Sequence, residues 1–249
     1  MTVKPKTRSV LGLRGNWPNG GYALSRATNP SLNMGLNDAV FLVTFQKITD
    51  LVHQSLYVGM KIDWTNGYYW EFELGKAYLV IYYGGVPLFV GSGILSGGFH
   101  SAATFVDRDG NVEHYIDGGA DGSGSVSAAG AANLDNNTDF LMQINYTGGG
   151  SYSYSQPLLH YEQWFIDPAD FPAAAERARI AQQFAADPYT TPSLMTERAN
   201  AATEQRLALT FENLDPAATT ITDESAYGNH VTIAGGATVA DCMKEYAGV

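Results

Sequence analysis

The stretch "GFHSAATFVDRDGNVEHYIDGG" (98–119) decides how this chain is read. Two runs with β-forming residues flank Asp109-Gly110, a pair that tolerates the left-handed backbone of a tight turn. The stretch therefore predicts an antiparallel hairpin with that pair at its tip. In the second run Val112, His114 and Ile116 fall on one side and Glu113, Tyr115 and Asp117 on the other, because strand side chains alternate. An imidazole on the apolar side reads as a hydrogen-bonded core histidine rather than a ligand.

The same period continues upstream. "AVFLVTF" (39–45) and "LYVGMKIDW" (56–64) read as strands, and Asn66-Gly67 is a turn before "YYWEFEL" (68–74). There Tyr68, Trp70, Phe72 and Leu74 share one face and Tyr69, Glu71 and Glu73 the other. Gly75-Lys76 leads into "AYLVIYYG" (77–84), which Gly84-Gly85 ends, so the region is a meander. Downstream, the Gly, Ser and Ala run over 118–132 predicts a long loop. "DFLMQIN" (139–145) and "LLHYEQWFI" (158–166) read as strands. Asp170 can cap a helix with Pro172 in its first turn, over "AAAERARIAQQFA" (173–185), and a second helix is predicted over 193–207. "LALTFENL" (207–214) reads as a strand, Tyr227-Gly228-Asn229 as a turn, and "HVTIAGGATV" (230–239) as two short strands.

Composition agrees with a β protein: 12% aromatic and 16% charged residues, with 27 Gly and 15 Tyr in 249 residues. The net charge of −11, with no basic run, excludes nucleic acid and anionic membrane as natural partners, since both demand cations. Cys242 is the only cysteine, so no disulfide forms within one chain. The basic start "MTVKPKTRSV" is followed by no apolar run of signal-peptide length, and no stretch approaches the ~20 apolar residues of a membrane span. Synthesis in a cytoplasm is the expectation.

With these strands in place, "YALSRATNPSLNMGLNDAVFLVTFQK" (22–47), "FHSAATFVDRDGNVEHYIDG" (99–118) and "LLHYEQWFIDPADFPAAAERARIAQQF" (158–184) resemble, in that order, the sheet entry, central hairpin and later strand with helix of the laminin-G-like branch of the concanavalin A-like lectin/glucanase superfamily. The resemblance covers roughly residues 20–185. It implies an antiparallel jelly-roll β-sandwich with two short peripheral helices. The expected organisation is an N-terminal arm over 1–20 and a sandwich over 21–186. Residues 187–249 add a helix and C-terminal strands. In the family a segment similar to "LALTFENL…TDESAYGNHVTIAGGATV" precedes the entry into the sheet, whereas here it occupies 207–239. Circular permutation, completion of a neighbouring subunit's sandwich and a truncated second domain would each produce that order. Gln143, Ile144 and Asn145 replace a glycine-bearing family position, and the family's frequent disulfide is absent.

Glucanases of the superfamily place acids on one strand face, so that one protonates the leaving oxygen while another, about 5 Å away, attacks the sugar. Glu71 and Glu73 share a face, but the third position is Gly75, so solvent-facing carboxylates are the reading. Asp223, Ser225 and His230 contain the residue types of a hydrolase triad without a nucleophile elbow. Cys242 has no adjacent histidine, and the histidines at 53, 100, 114, 160 and 230 lack metal-ligand spacing. Calcium, which lectin relatives often bind, would find Asp117 and Asp121 in "DGGADGSGS" (117–125). Sugar binding needs aromatic faces, which Trp64, Tyr68, Tyr69, Tyr152 and Tyr154 could supply as a rim.

The expectation is a non-enzymatic structural or adhesive subunit of a larger homo-oligomeric assembly, of the kind found in a bacteriophage virion as a head-decoration or tail-associated protein. It would be free of any required cofactor and able to meet a cell-surface glycan. A monomeric carbohydrate-binding module is the alternative, and a glycoside hydrolase the third reading.

Overall fold

The computed structural model describes residues 9–10, 22–47, 55–73, 75–144, 158–211, 214–242 and 244–245. The strands, in chain order, are β1 (Ser9–Val10), β2 (Tyr22–Arg26), β3 (Asp38–Lys47), β4 (Ser55–Ile62), β5 (Gly67–Glu73), β6 (Lys76–Tyr83), β7 (Val86–Gly91), β8 (Gly98–Val106), β9 (Asn111–Ile116), β10 (Gly119–Ser125), β11 (Phe140–Ile144), β12 (Leu158–Ile166), β13 (Gln205–Thr210), β14 (Thr220–Ile221), β15 (Val231–Ile233) and β16 (Lys244–Glu245). One antiparallel sheet has the order β10-β9-β8-β3-β12-β13 and the other β14-β15-β2-β11-β4-β5-β6-β7, while β1 and β16 form a separate pair.

The two large sheets pack face to face as a lectin-like jelly-roll sandwich. From β3, Phe41 meets Tyr68 with ring centroids 5.7 Å apart, and Phe45 meets Trp70 at 5.5 Å and Phe72 at 5.1 Å. These contacts join the layers through aromatic surface, the largest apolar area a side chain can bury. The opposite face of β3 is apolar too. There Val40 and Leu42 lie with Phe105 and Trp164 beneath Ile180, Ala181 and Phe184 of helix α1 (Ala174–Ala186). Burial on both faces is why 39–45 reads as an almost unbroken apolar run. Arg177 fastens α1 to β9 by a bidentate pair with Glu113, at 3.0 and 2.7 Å.

Four expectations need correction. Residues 118–132 are not a long loop: 119–125 form β10, paired with β9, and Ser127–Ala129 make a 3-10 turn. The strand needs no apolar side chains because it closes the side of the sandwich backbone to backbone. A Cβ on Gly122 would stand 2.5 Å from the Gly91 carbonyl oxygen, and Gly93 N–H donates to the Asp121 carbonyl at 2.8 Å. Asp170 does not cap α1, which starts after Ala173; it belongs to a 3-10 turn, Pro168–Asp170, capped by Asp167. The helix predicted over 193–207 is two short ones, α2 (Ser193–Thr196) and α3 (Ala201–Glu204). Between them Arg198 turns to the Glu204 carboxylate and the Asp170 carbonyl, tertiary bonds that outrank helix propensity. Finally, 230–239 supplies one strand, β15, because Gly235 and Gly236 both take φ 72 and fold the chain into a turn ahead of α4 (Val239–Cys242).

The late strands pair within the chain. β13 extends one sheet beyond β12, with Leu209 opposite Tyr161, and β15 adds to the other beside β2, with Thr232 opposite Ser25.

Candidate functional site

Alternation along β5 sends Tyr68, Trp70 and Phe72 into the core and Tyr69 and Glu71 to the other side of the strand. Glu71 is nevertheless only 3% exposed, so it is not the solvent-facing carboxylate expected from the sequence. Register carries the outer row onward. Tyr69 lies opposite Val80, Val80 opposite Phe89, and Tyr82, two residues along β6, opposite Pro87. The face is therefore aromatic across β5, β6 and β7.

Trp64 joins it from the β4–β5 connection. The Asp63 carboxylate accepts from Thr65 N–H at 2.8 Å and Asn66 N–H at 2.7 Å, a local turn that holds Trp64 at φ 65. A bulky residue in the left-handed region is uncommon and costs backbone energy, so its placement is imposed by the surrounding turn. Gly85 N–H donates to the Thr65 carbonyl at 2.9 Å, which ties this hairpin tip to the β6–β7 turn. The Trp64 ring stands edge-on to Tyr82, 5.7 Å between centroids and 85° between planes, and Tyr82 is 6.3 Å from Tyr69. Trp64 is 58% exposed and Phe89 57%. Tyr69 is almost covered and Tyr82 half-buried, so they support the two exposed rings. Tyr78 sits opposite Glu71, and burial together with the Glu71 and Glu73 carboxylates raises its phenol pKa above the usual value.

The expected rim is divided by the fold. Trp64 and Tyr69 share the outer face, through Tyr82. Tyr68 is a core residue: its hydroxyl donates to the Leu32 carbonyl at 2.7 Å and accepts from Gln163 Nε2 at 2.6 Å, and burial pushes its pKa far up. It has no surface to offer a ligand. Tyr152 and Tyr154 lie outside the described residues. Tyr82 and Phe89 were not anticipated. The signal for β7 was the alternation of Val86, Leu88 and Val90 after Gly84-Gly85.

The carboxylates considered for calcium face separate protein partners. Asp117, at φ 49, accepts from Ser101 N–H at 2.9 Å and pairs with His100 Nδ1 at 2.8 Å, whereas Asp121 accepts from Gly93 N–H at 3.1 Å. No group of three or more His, Cys, Asp or Glu placed to hold a metal occurs among the described residues. Asp223 accepts from Ala208 N–H, Ser225 N–H and Oγ, and Asn229 N–H, so it locks the 223–229 turn onto β13. His230 Nδ1 accepts from Asp223 N–H rather than meeting Ser225 Oγ, so these residues form a turn and not a charge relay. His114 is a core histidine, fully buried, with burial pushing its pKa down to about 4.

A second polar cluster lies under α1. Glu162 is fully buried and accepts from His160 Nε2 (2.8 Å), Thr191 Oγ1 (2.6 Å), Trp164 Nε1 (2.9 Å) and Gln205 Nε2 (3.2 Å). Burial works to raise its pKa, but the bond and charge of His160, with Thr191 and Trp164, hold it below the ordinary carboxylate value.

No protein-family model and no curated protein sequence matches the chain. Solved structures do, at the level of fold. A candidate carbohydrate-binding protein from Bacteroides ovatus aligns with 98% of this chain and 62% of its own, at 13% identity and a TM-score of 0.55. The native heptameric SAP-like pentraxin from Limulus polyphemus aligns with 94% of this chain and 99% of its own, at 12% identity and 0.53. The binding domain of Paraclostridial Mosquitocidal Protein 1 aligns with 68% and 42%, at 14% and 0.50. The chain thus spans less than two thirds of the first and third of these proteins and nearly the whole pentraxin. The shared fold is the lectin-like β-sandwich.

Proposed function

We propose that this chain is a non-enzymatic glycan-binding module that receives sugar on the outer face of its eight-stranded sheet. The observation that carries the reading is Trp64: exposed, held at φ 65 by the Asp63 turn and braced edge-on by Tyr82. A strained, propped, solvent-facing indole is a surface for the apolar side of a pyranose ring, and the nearby tyrosine hydroxyls and carboxylates can meet its hydroxyl groups. The similarity of fold to a candidate carbohydrate-binding protein is consistent with this role. A glycan array probed with the intact chain and with Trp64→Ala tests it. Saturable binding lost in the variant supports the reading, and binding that survives the variant sinks it.

A second reading, an adhesive subunit of a larger particle such as a bacteriophage virion, is favoured by the β7 margin. β7 is the last strand of its sheet among the described residues; Val86 (60% exposed) opens it and Ile94 (77%) follows it, on either side of the Gly91–Gly93 stretch that β10 covers. Apolar side chains at a strand edge suit association with another copy. Light scattering tests this: an oligomer that falls to monomers in a Val86→Lys, Ile94→Lys double variant supports it, and a monomeric wild type removes it.

A further inference from the structure

The β7–β8 crossover, residues 92–97, carries the chain from the eight-stranded sheet to the six-stranded one and is pinned along its length. Ser92 N–H donates to the Ala77 carbonyl at 2.8 Å, Gly93 N–H to the Asp121 carbonyl at 2.8 Å and Leu95 N–H to the Gly75 carbonyl at 2.7 Å, while Lys47 Nζ donates to the Leu95 carbonyl. The last pin is a histidine. His100, in β8, is 7% exposed and lies beside the Phe45 ring, 5.9 Å between centroids. Its Nε2 is 2.9 Å from the Ser96 carbonyl oxygen and its Nδ1 is 2.8 Å from an Asp117 carboxylate oxygen.

A carbonyl and an ionised carboxylate accept hydrogen bonds and never donate them, so both contacts are bonds only when both ring nitrogens carry protons. That state is the imidazolium. His114 is the contrast, because a hydroxyl faces one of its nitrogens and can donate to a neutral ring. The second Asp117 oxygen accepts from Ser101 N–H at 2.9 Å, and Asp117 N–H donates to the Ser101 carbonyl at 2.9 Å, which fixes the carboxylate beside His100. Asp117 belongs to no metal-holding group among the described residues. The charged groups acting on His100 are Asp117, in the β9–β10 turn, and Lys47, at the end of β3. Burial disfavours the cation, yet the bonds to Asp117 and Ser96 and the Asp117 charge outweigh it and the repulsion of Lys47, holding the pKa above the ordinary 6.5.

We infer that His100 is a pH-sensitive latch, which as the imidazolium clamps the β7–β8 crossover to the β9–β10 turn and as the neutral ring holds only one of them. The carboxylate is the stronger acceptor and keeps the remaining proton. The proton that leaves Nε2 passes to solvent, and the Ser96 end lets go. The folded pKa lies above the unfolded value of 6.5, so the clamp is fully present below pH 6.5 and is lost as pH rises through the folded value.

The test is imidazole nitrogen NMR over a pH series, together with amide hydrogen exchange corrected for the intrinsic effect of pH, on wild type, His100→Gln and Asp117→Asn. The expected spectrum at pH 6 shows both His100 nitrogens protonated. Protection of the Gly93 and Leu95 amides should then fall about tenfold as His100 titrates, while the β3 amides stay protected. In Asp117→Asn the titration and the release should move together to lower pH, and in His100→Gln the crossover should exchange at the high-pH level throughout. A neutral His100 at pH 6, or crossover protection that ignores the His100 titration, would overturn the inference. Both readouts come from the wild type, so they decide the matter even where a variant does not fold.

Discussion

His114 Nε2 lies 2.9 Å from the Val90 carbonyl, a hydrogen bond in the core that joins β9 of one sheet to β7 of the other. The rest of the chain of bonds fixes its direction. Trp70 Nε1 donates to Thr104 Oγ1 at 3.2 Å, and Thr104 Oγ1 lies 2.9 Å from His114 Nδ1. Every partner is satisfied when Thr104 donates to Nδ1 and Nε2 carries the proton, which is the neutral imidazole. Burial reinforces that state by disfavouring the cation.

Acid should therefore loosen the sandwich through His114. Its folded pKa, about 4, lies below the unfolded value of 6.5, so the unfolded chain binds more protons between them. The stability is fully present above pH 6.5 and is lost as pH falls toward 4, by roughly 3 kcal/mol. Urea unfolding at a series of pH values checks this, and His114→Gln should flatten that portion of the curve.

Asp38 contributes the opposite sign over part of the same window. Its carboxylate accepts from Arg108 N–H at 2.9 Å, and burial pushes its pKa up to about 6 despite that bond. The folded chain then holds the extra proton, so this group's contribution falls as pH rises from about 4 to 6. In the same titration Asp38→Asn should steepen the acid loss by removing the compensation.

Glu162→Gln should cost about 3 kcal/mol, because the new amide nitrogen would face donors where a carboxylate oxygen now accepts, and the His160, Trp164 and Thr191 donors would lose a charged acceptor. Thermal unfolding gives the value. A change below ~1 kcal/mol would mean that the cluster under α1 is hydrated.

Gly122→Ala should destabilise by about 1–3 kcal/mol, since its Cβ would meet the Gly91 carbonyl oxygen and the Ser92 backbone, neither of which can move aside. Gly124→Ala should cost less, because its nearest neighbours are the Val90 methyl groups at 3.1 Å. Parallel denaturant curves for the two variants check the ranking.

Trp64→Gly should separate stability from binding. Glycine adopts φ 65 without the penalty that indole carries there, so the variant should unfold within ~0.5 kcal/mol of wild type while losing the exposed ring. Calorimetric scanning beside the array measures both properties.

The readable parts of this fold were those in which side chains decide the structure. β3 announced itself because both of its faces are buried, and His114 because alternation placed it among Val112 and Ile116. β10 was hidden because its fit depends on missing side chains, as at Gly122 and Gly124, and composition cannot distinguish a glycine kept for closeness from one kept for freedom. The site was half legible. Alternation separated Tyr68 from Tyr69, but both faces of β5 carry aromatics, so it could not say which faced outward. Phe89 went unseen with its strand, because Gly84-Gly85 marks a tight hairpin turn as readily as the end of a sheet.

The positions of β13 and β15 also set a timetable. β12 cannot gain its second neighbour, nor β2 its own, until residues 205–233 are available, and Ser25 must find Thr232 across almost the entire chain. Pairings so distant in sequence are slow because a long loop closes before they form. During synthesis β12 and β2 keep open margins until that segment has left the ribosome, which leaves those strand edges exposed to mispairing for most of the chain's emergence.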